Sequence, residues 1–293
     1  MKTVAFKFQP IRFLLIGFLV LSVSFIKILN AQESVKLEKV WSTKQVLKTP
    51  ECVAVDLKNR VLYVSNVNEN PWELDGNGFI SKLDFDGNII DLKWVHGNMH
   101  GPKGMGVRDN LLYVADIDAV LVIETKTGEI KKRIEADPEL GLNDISVSDD
   151  GKIFVSGSNS NKIFVIENHE LKLLVEDDFD RPNGLLAEND RLLTLTSGSS
   201  KLYELDYENP KKKELAAELG HGDGIVFAGD GLYILSDWSG RIFAMNKNRK
   251  VSKLLDTRAD EINAADIAFL PEKQLLFVPT FFDNRVVAYK LIK

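Results

Sequence analysis

Pro182-Asn183-Gly184-Leu185 and Gly222-Asp223-Gly224-Ile225 open two segments that then run through the same succession of short strands and turns. Four more segments start in the same phase: Pro50-Glu51-Cys52-Val53, Pro102-Lys103-Gly104-Met105, Leu142-Asn143-Asp144-Ile145 and Ala264-Ala265-Asp266-Ile267. Their second residues fall at 51, 103, 143, 183, 223 and 265, with spacings of 52, 40, 40, 40 and 42. A period near forty built from short strands is the signature of a β-propeller, in which one four-stranded antiparallel blade is one repeat. Six units close a ring, so the pattern predicts an all-β, six-bladed β-propeller.

Within each repeat an apolar strand follows the opening residues, as in Val53-Ala54-Val55 or Ile145-Ser146-Val147. A polar turn such as Asp149-Asp150-Gly151 leads to an aromatic and β-branched strand, for example Val61-Leu62-Tyr63-Val64. A third strand starts on a basic residue (Lys162, Lys201, Arg241), and a more polar fourth strand closes most units. Strands of four to six residues bounded by Gly, Asn and Asp are what an all-β repeat requires. The last unit, 262–293, carries only three strands. Residues 34–46 precede the first repeat and are placed to supply the fourth, joining the two ends of the chain and removing a sheet edge. The first unit is longer because of a polar loop, 66–78, that contains Trp72, and loops longer than a repeat needs are more often functional than structural.

The N-terminus reads as an export signal. Lys2, Lys7 and Arg12 precede an apolar run from Phe13 to Phe25, and Leu29-Asn30-Ala31 offers a cleavage site. The expected organisation is a signal peptide over 1–31 and a single propeller domain over 32–293, periplasmic or secreted. The run is short for a membrane span, so no membrane association is expected after cleavage; the alternative is an uncleaved N-terminal anchor. Loss of 1–31 removes four basic residues and no acidic one, moving the formal charge from −6 to −10. Such an acidic surface gives no electrostatic reason to bind nucleic acid. The single cysteine, Cys52, excludes an internal disulfide and reads as a small buried hydrophobe.

Chemistry concentrates at the repeat phase. In a propeller the first strand of each blade lines the central channel, so Glu51, Asn143, Asn183 and Asp223 converge at one height on the axis. Two carboxylates held together need a compensating cation or proton. Oxygen-only ligation suits a hard divalent ion, Ca²⁺ first, then Mg²⁺ or Mn²⁺; Zn²⁺ remains an option but usually takes His or Cys. Lys103 adds a positive charge to the same ring, where it either reads a substrate carboxylate or hydroxyl or neutralises Glu51 in place of the metal. His100 and His221 lie in loops that enter the channel and are candidate substrate-binding groups. Asp116 and Asp237 end second strands and read as ordinary turn residues.

Pro50-Glu51, Asn143-Asp144, Pro182-Asn183-Gly184 and Asp223-Gly224, in that order across blades, resemble the regucalcin/gluconolactonase family over nearly the whole chain from Pro50 onward. The resemblance implies a six-bladed propeller with one divalent cation in the channel. It makes Glu51, Asn183 and Asp223 the metal ligands, Asn143 a contact to substrate or to a water beside the ion, and Asp223 also the acid/base that activates water. It therefore implies a divalent-metal-dependent hydrolase of lactones or related small-molecule esters. The sequence departs from the sugar-lactone hydrolases at Gly141, where those enzymes carry an arginine two residues before the equivalent of Asn143. The phrase Gly101-Pro102-Lys103-Gly104 is also similar to NHL-repeat propellers. The alternative reading is thus a non-catalytic secreted propeller that binds a glycan, peptide or protein partner. No Gly-x-Ser-x-Gly elbow points to a covalent acyl-enzyme. The sequence is silent on oligomeric state.

Overall fold

The computed structural model describes residues 1–3 and 35–293, and the expected signal segment falls almost entirely outside them. Two units are separated by compactness, 1–34 and 35–293, and the account below concerns the second.

Strand β1 spans Lys36–Ser42. Blade 1 then comprises β2 (Pro50–Asp56), β3 (Val61–Asn66), β4 (Phe79–Asp84) and β5 (Ile89–His96). Blade 2 comprises β6 (Met105–Arg108), β7 (Leu111–Ala115), β8 (Ala119–Glu124) and β9 (Ile130–Glu135). Blade 3 follows with β10 (Leu142–Val147), β11 (Ile153–Gly157), β12 (Lys162–Glu167) and β13 (Glu170–Glu176). Blade 4 is β14 (Pro182–Ala187), β15 (Arg191–Thr196), β16 (Leu202–Asp206) and β17 (Lys213–Ala216). Blade 5 is β18 (Gly222–Phe227), β19 (Tyr233–Asp237), β20 (Arg241–Met245) and β21 (Val251–Asp256). Blade 6 holds β22 (Ala268–Leu270), β23 (Leu275–Pro279) and β24 (Val286–Ile292), with β1 as its outer strand.

The expected closure is therefore present: Lys36 pairs with Ile292 and Ser42 with Val287 in an antiparallel ladder. Every blade has four antiparallel strands, and the described residues contain no α-helix, only single 3₁₀ turns. The innermost strands neighbour one another in the order β2, β6, β10, β14, β18, β22 and back to β2. A propeller sheet buries both faces, and the apolar residues divide accordingly. Tyr63 and Ile80 of blade 1 meet Val114 and Leu121 of blade 2 in one cluster, while Leu62 and Leu83 meet Phe277 and Ala288 of blade 6 in another. Core lies between blades rather than in a single centre. The channel is left free for polar groups.

Candidate functional site in the central channel

The repeat-phase residues owe their orientation to a β-bulge that recurs in four blades. Pro50 pairs with Asn66 but Val53 with Val64, so three steps on β2 face two on β3. The same extra residue lies between Leu142 and Ile145, Pro182 and Leu185, and Gly222 and Ile225. A bulge re-aims side chains out of the regular alternation, and here it sends Glu51, Asn143, Asn183 and Asp223 into one cavity. The displaced backbone N–H of the next residue needs another acceptor. It finds a serine hydroxyl in the neighbouring strand: Cys52 N–H donates to Ser65 Oγ at 2.9 Å, Asp144 N–H to Ser156 Oγ at 2.9 Å and Gly224 N–H to Ser236 Oγ at 2.7 Å. These serines were overlooked in the sequence, although each stands 13 or 14 residues after its repeat-phase residue.

The cavity has a volume of about 540 Å³ and brings together Glu51, Lys103, Asn143, Asn183, Asp223 and His221. All but His221 are buried. Asn183 Nδ2 donates to Asp223 Oδ1 at 2.9 Å, and Asn143 Nδ2 donates to Ser158 Oγ at 3.1 Å. Glu51 Oε2 and Asn143 Oδ1 are buried acceptors without a hydrogen-bond partner among the described residues. His221 Nδ1 stands 3.1 Å from the Ser197 carbonyl, so Nδ1 donates there.

Lys103 lies in the ring, but its Nζ donates to the carbonyls of Pro71 at 2.8 Å and Gly101 at 2.9 Å, and sits 4.3 Å from the centre of the Trp72 ring. It thus pins the long 66–78 loop over the cavity and retains one N–H for the interior. His100 is not among the lining residues. Its Nδ1 accepts from Gly76 N–H at 3.0 Å and its Nε2 is 3.6 Å from the Asp118 carboxylate, so it anchors the other end of the same loop. Asp116 and Asp237 do more than end strands. Asp116, fully buried, accepts from the N–H groups of His100, Gly101 and Ile117. Asp237 accepts from His221 N–H and pairs with Arg241. Each holds the loop that delivers a ring residue, Lys103 or Asp223.

The other side of the cavity is apolar and aromatic, and sequence reading missed it. Trp238 follows β19, Phe281 and Phe282 form the turn before β24, and Arg181 precedes β14. Trp238, Phe281 and Phe282 lie in loops that no repeat marks, whereas Arg181 stands two residues before Asn183, the phase that His221 occupies before Asp223.

Burial dominates the electrostatics. It raises Glu51 well above the usual carboxylate range, with Asp223 adding to the rise and Lys103 opposing it. Asp223 is pushed up to about 8 by burial and by Asp144, against the Asn183 hydrogen bond. Asp144 rises to about 6 through burial, offset in part by the N–H groups of Leu185 and Ile145. Burial lowers Lys103 to about 8, with Glu51 and Asp116 opposing. Carboxylates whose folded pKa is raised stabilise the fold below their ordinary value and lose that contribution as pH rises through the folded value. Metal-depleted protein should therefore unfold at lower urea concentration at pH 7.5 than at pH 5. The slope is about 1.4 kcal/mol per pH unit for each differential proton. Lys103 gives the opposite slope only above about pH 8. A flat urea midpoint across that interval would show that the acidic ring is not desolvated.

The donor set fits a hard divalent ion. Glu51 and Asn143, each with an unpartnered oxygen, line the same cavity as Asp223 and Asn183, and all carry oxygen ligands of the kind such ions take. Among the described residues no group of three or more His, Cys, Asp or Glu gathers to hold a metal, so amide oxygens must complete any shell.

No family model matches the chain, and no curated protein matches it. Solved structures do. A virginiamycin B lyase from Staphylococcus aureus aligns at TM-score 0.65 and 14% identity, covering 88% of this chain and 100% of that one. A streptogramin B lyase aligns at 0.61 and 10%, covering 88% and 98%. One chain of a nidogen/laminin complex aligns at 0.63 and 17%, covering 75% and 84%. What is shared is the propeller. At these identities the likeness establishes the fold alone, and the neighbours include both enzymes and a chain from a complex of two proteins.

Proposed function

We propose that the channel is the active site of a divalent-cation-dependent hydrolase acting on lactones or related esters. The observation that carries this reading is the buried Glu51 Oε2, an acceptor with no partner, on a residue that lines the same cavity as Asn143, Asn183 and Asp223. Glu51, Asn183 and Asp223 would hold the cation. The chemistry that such an ion supplies when bound is polarisation of the ester carbonyl. Asp223 takes the proton from the attacking water as a positioned carboxylate. Asn143, fixed by Ser158, offers Oδ1 to the water or substrate. The aromatic wall and the Trp72 loop restrict bulk water at the reacting bond. The regucalcin/gluconolactonase resemblance supports the same assignment of ligands and base.

The test is metal content of wild type and Glu51→Gln, with hydrolysis of a lactone panel. One Ca²⁺, Mg²⁺ or Mn²⁺ per chain, lost in Glu51→Gln together with turnover, is the expected result. Absence of any ion in wild type, with no thermal shift on adding these metals, would overturn it. The binding-module reading would then take precedence, favoured by the exposed Phe282 and half-exposed Trp72 at the mouth.

A further inference from the structure

The two residues that precede β14 form a left-handed pair, as Asn68-Glu69 and Asn168-His169 do elsewhere. Asp180 (φ 58°) and Arg181 (φ 65°) are both left-handed, consecutive and followed by Pro182. Neither is glycine, and the left-handed region costs an L-residue of this kind roughly 1–2 kcal/mol. The turn is held from both sides: Arg181 N–H donates to Asn161 Oδ1 at 2.9 Å, Ser197 N–H to the Arg181 carbonyl at 2.9 Å and Gly198 N–H to the Asp180 carbonyl at 3.0 Å. Strain that the surroundings over-determine in this way marks a placement the molecule maintains. What is placed is the Arg181 side chain, which lines the cavity.

The guanidinium has no hydrogen bond, ion pair or ring contact among the described residues. Elsewhere in this acidic chain most arginines stand beside carboxylates, Arg191 with Glu188 and Arg241 with Asp237 among them. A planar, permanently charged fork without a partner at the mouth of a cavity is suited to a planar oxyanion.

Facing the same cavity is an aromatic wall. Trp238 lies edge-on to Phe281 at 5.7 Å and to Phe282 at 5.8 Å, and the two phenylalanines meet at 4.9 Å. Phe281 is also held left-handed, at φ 38°, by the turn that Asn284 and Thr280 brace. Phe282 is 62% exposed. A flat apolar ring would gain burial and edge-to-face contact.

We propose that the cavity selects an anionic ester or lactone with an aromatic body, its carboxylate taken by Arg181 and its ring laid on the Trp238–Phe281–Phe282 wall. The inference rests on the hydrolase reading only for the identity of the reacting bond.

The experiment measures binding by calorimetry to the full mature chain in Ca²⁺, using 3-phenylpropionate, 3-phenylpropanol and propionate. Phenylpropionate is expected to bind about tenfold or more tightly than either of the others, as for a charged hydrogen-bonded pair. Arg181→Gln should reduce it to the level of the alcohol, Arg181→Lys should restore part of the difference, and Phe282→Ala should weaken both aromatic probes. Equal affinity for acid and alcohol, an undiminished preference in Arg181→Gln, or no binding of phenylpropionate at millimolar concentration would each overturn the proposal. Turnover of phenyl-substituted lactones with and without a carboxylate is assayed separately. Charge-selective binding without turnover would remove the hydrolase and leave the ligand class standing. Turnover of both lactones at equal kcat/KM, without acid binding, would remove the ligand class alone.

Discussion

Asp223→Asn is expected to lower kcat for lactone hydrolysis by roughly 10²–10⁴-fold, the contribution typical of a positioned general base, while the metal-depleted protein becomes no less stable. The two halves of this expectation share one cause. Asp223 is buried beside Asn183 and within the field of Asp144 and Glu51, and the fold works against its ionisation. A neutral amide of the same shape removes that penalty and retains a polar partner for Asn183. A residue kept for the sake of the fold would behave otherwise, since losing a structural contact lowers both activity and stability. The measurement is kcat at saturating substrate alongside the urea midpoint. Turnover within a factor of ten of wild type would take Asp223 out of the chemistry.

Gly184→Ala should produce the converse, a large loss of stability from a residue with no chemistry of its own. A β-carbon there would lie 1.9 Å from the Asp223 carbonyl oxygen and 3.2 Å from the Gly224 α-carbon, both backbone atoms that no rotamer change can move. Relief requires blades 4 and 5 to separate at the level of the site, and overpacking of this kind costs about 1–3 kcal/mol or more. The variant should unfold at clearly lower urea concentration, and its displaced Asp223 should weaken cation binding. A wild-type midpoint would mean that the innermost strands are farther apart than they stand here. The same crowding explains the glycines that follow the repeat-phase residue in blades 2, 4 and 5, while blade 1 carries Cys52 there, bridged to Asp266. Gly104 lies against Asp144 and Gly224 against Asp266, so each aspartate has a glycine beside it where a second side chain would collide.

The propeller was legible because it is periodic. Fixed spacing of the residues at 103, 143, 183 and 223 reports both the number of blades and the level at which side chains meet. The assembly of Glu51, Asn143, Asn183 and Asp223 in one cavity followed from that arithmetic alone, and closure of blade 6 by β1 followed from a missing strand. What periodicity cannot report is a contribution made once. Trp72, Trp238, Phe281 and Phe282 reach the cavity through loops that differ from blade to blade, and only three-dimensional proximity groups them, whereas Arg181 shares the phase of His221 two residues before the marker. His100 shows the opposite limit: its place before Gly101-Pro102-Lys103 matches that of His221 before Gly222-Asp223, yet Gly76 and Asp118 engage its ring away from the cavity. Lys103 was located correctly in the ring, but its carbonyl partner at Pro71 lies in a loop without internal repeat, so its role as a pin for that loop had no sequence signal.

The pairing of Lys36 with Ile292 bears on how the molecule is made. A chain emerging from the ribosome presents β1 first and its partner β24 last, so β1 waits unpaired through the synthesis of every intervening blade. Bringing the two together closes a loop of about 250 residues, an entropic cost of about 5 kcal/mol that nothing short of the finished ring can offset. Until then each nascent form carries two open strand edges and incomplete inter-blade packing, the state most prone to pair with a neighbouring copy. A premature stop anywhere before β24 therefore leaves an adhesive fragment rather than a smaller propeller, and the last seven-residue strand decides whether the other blades survive.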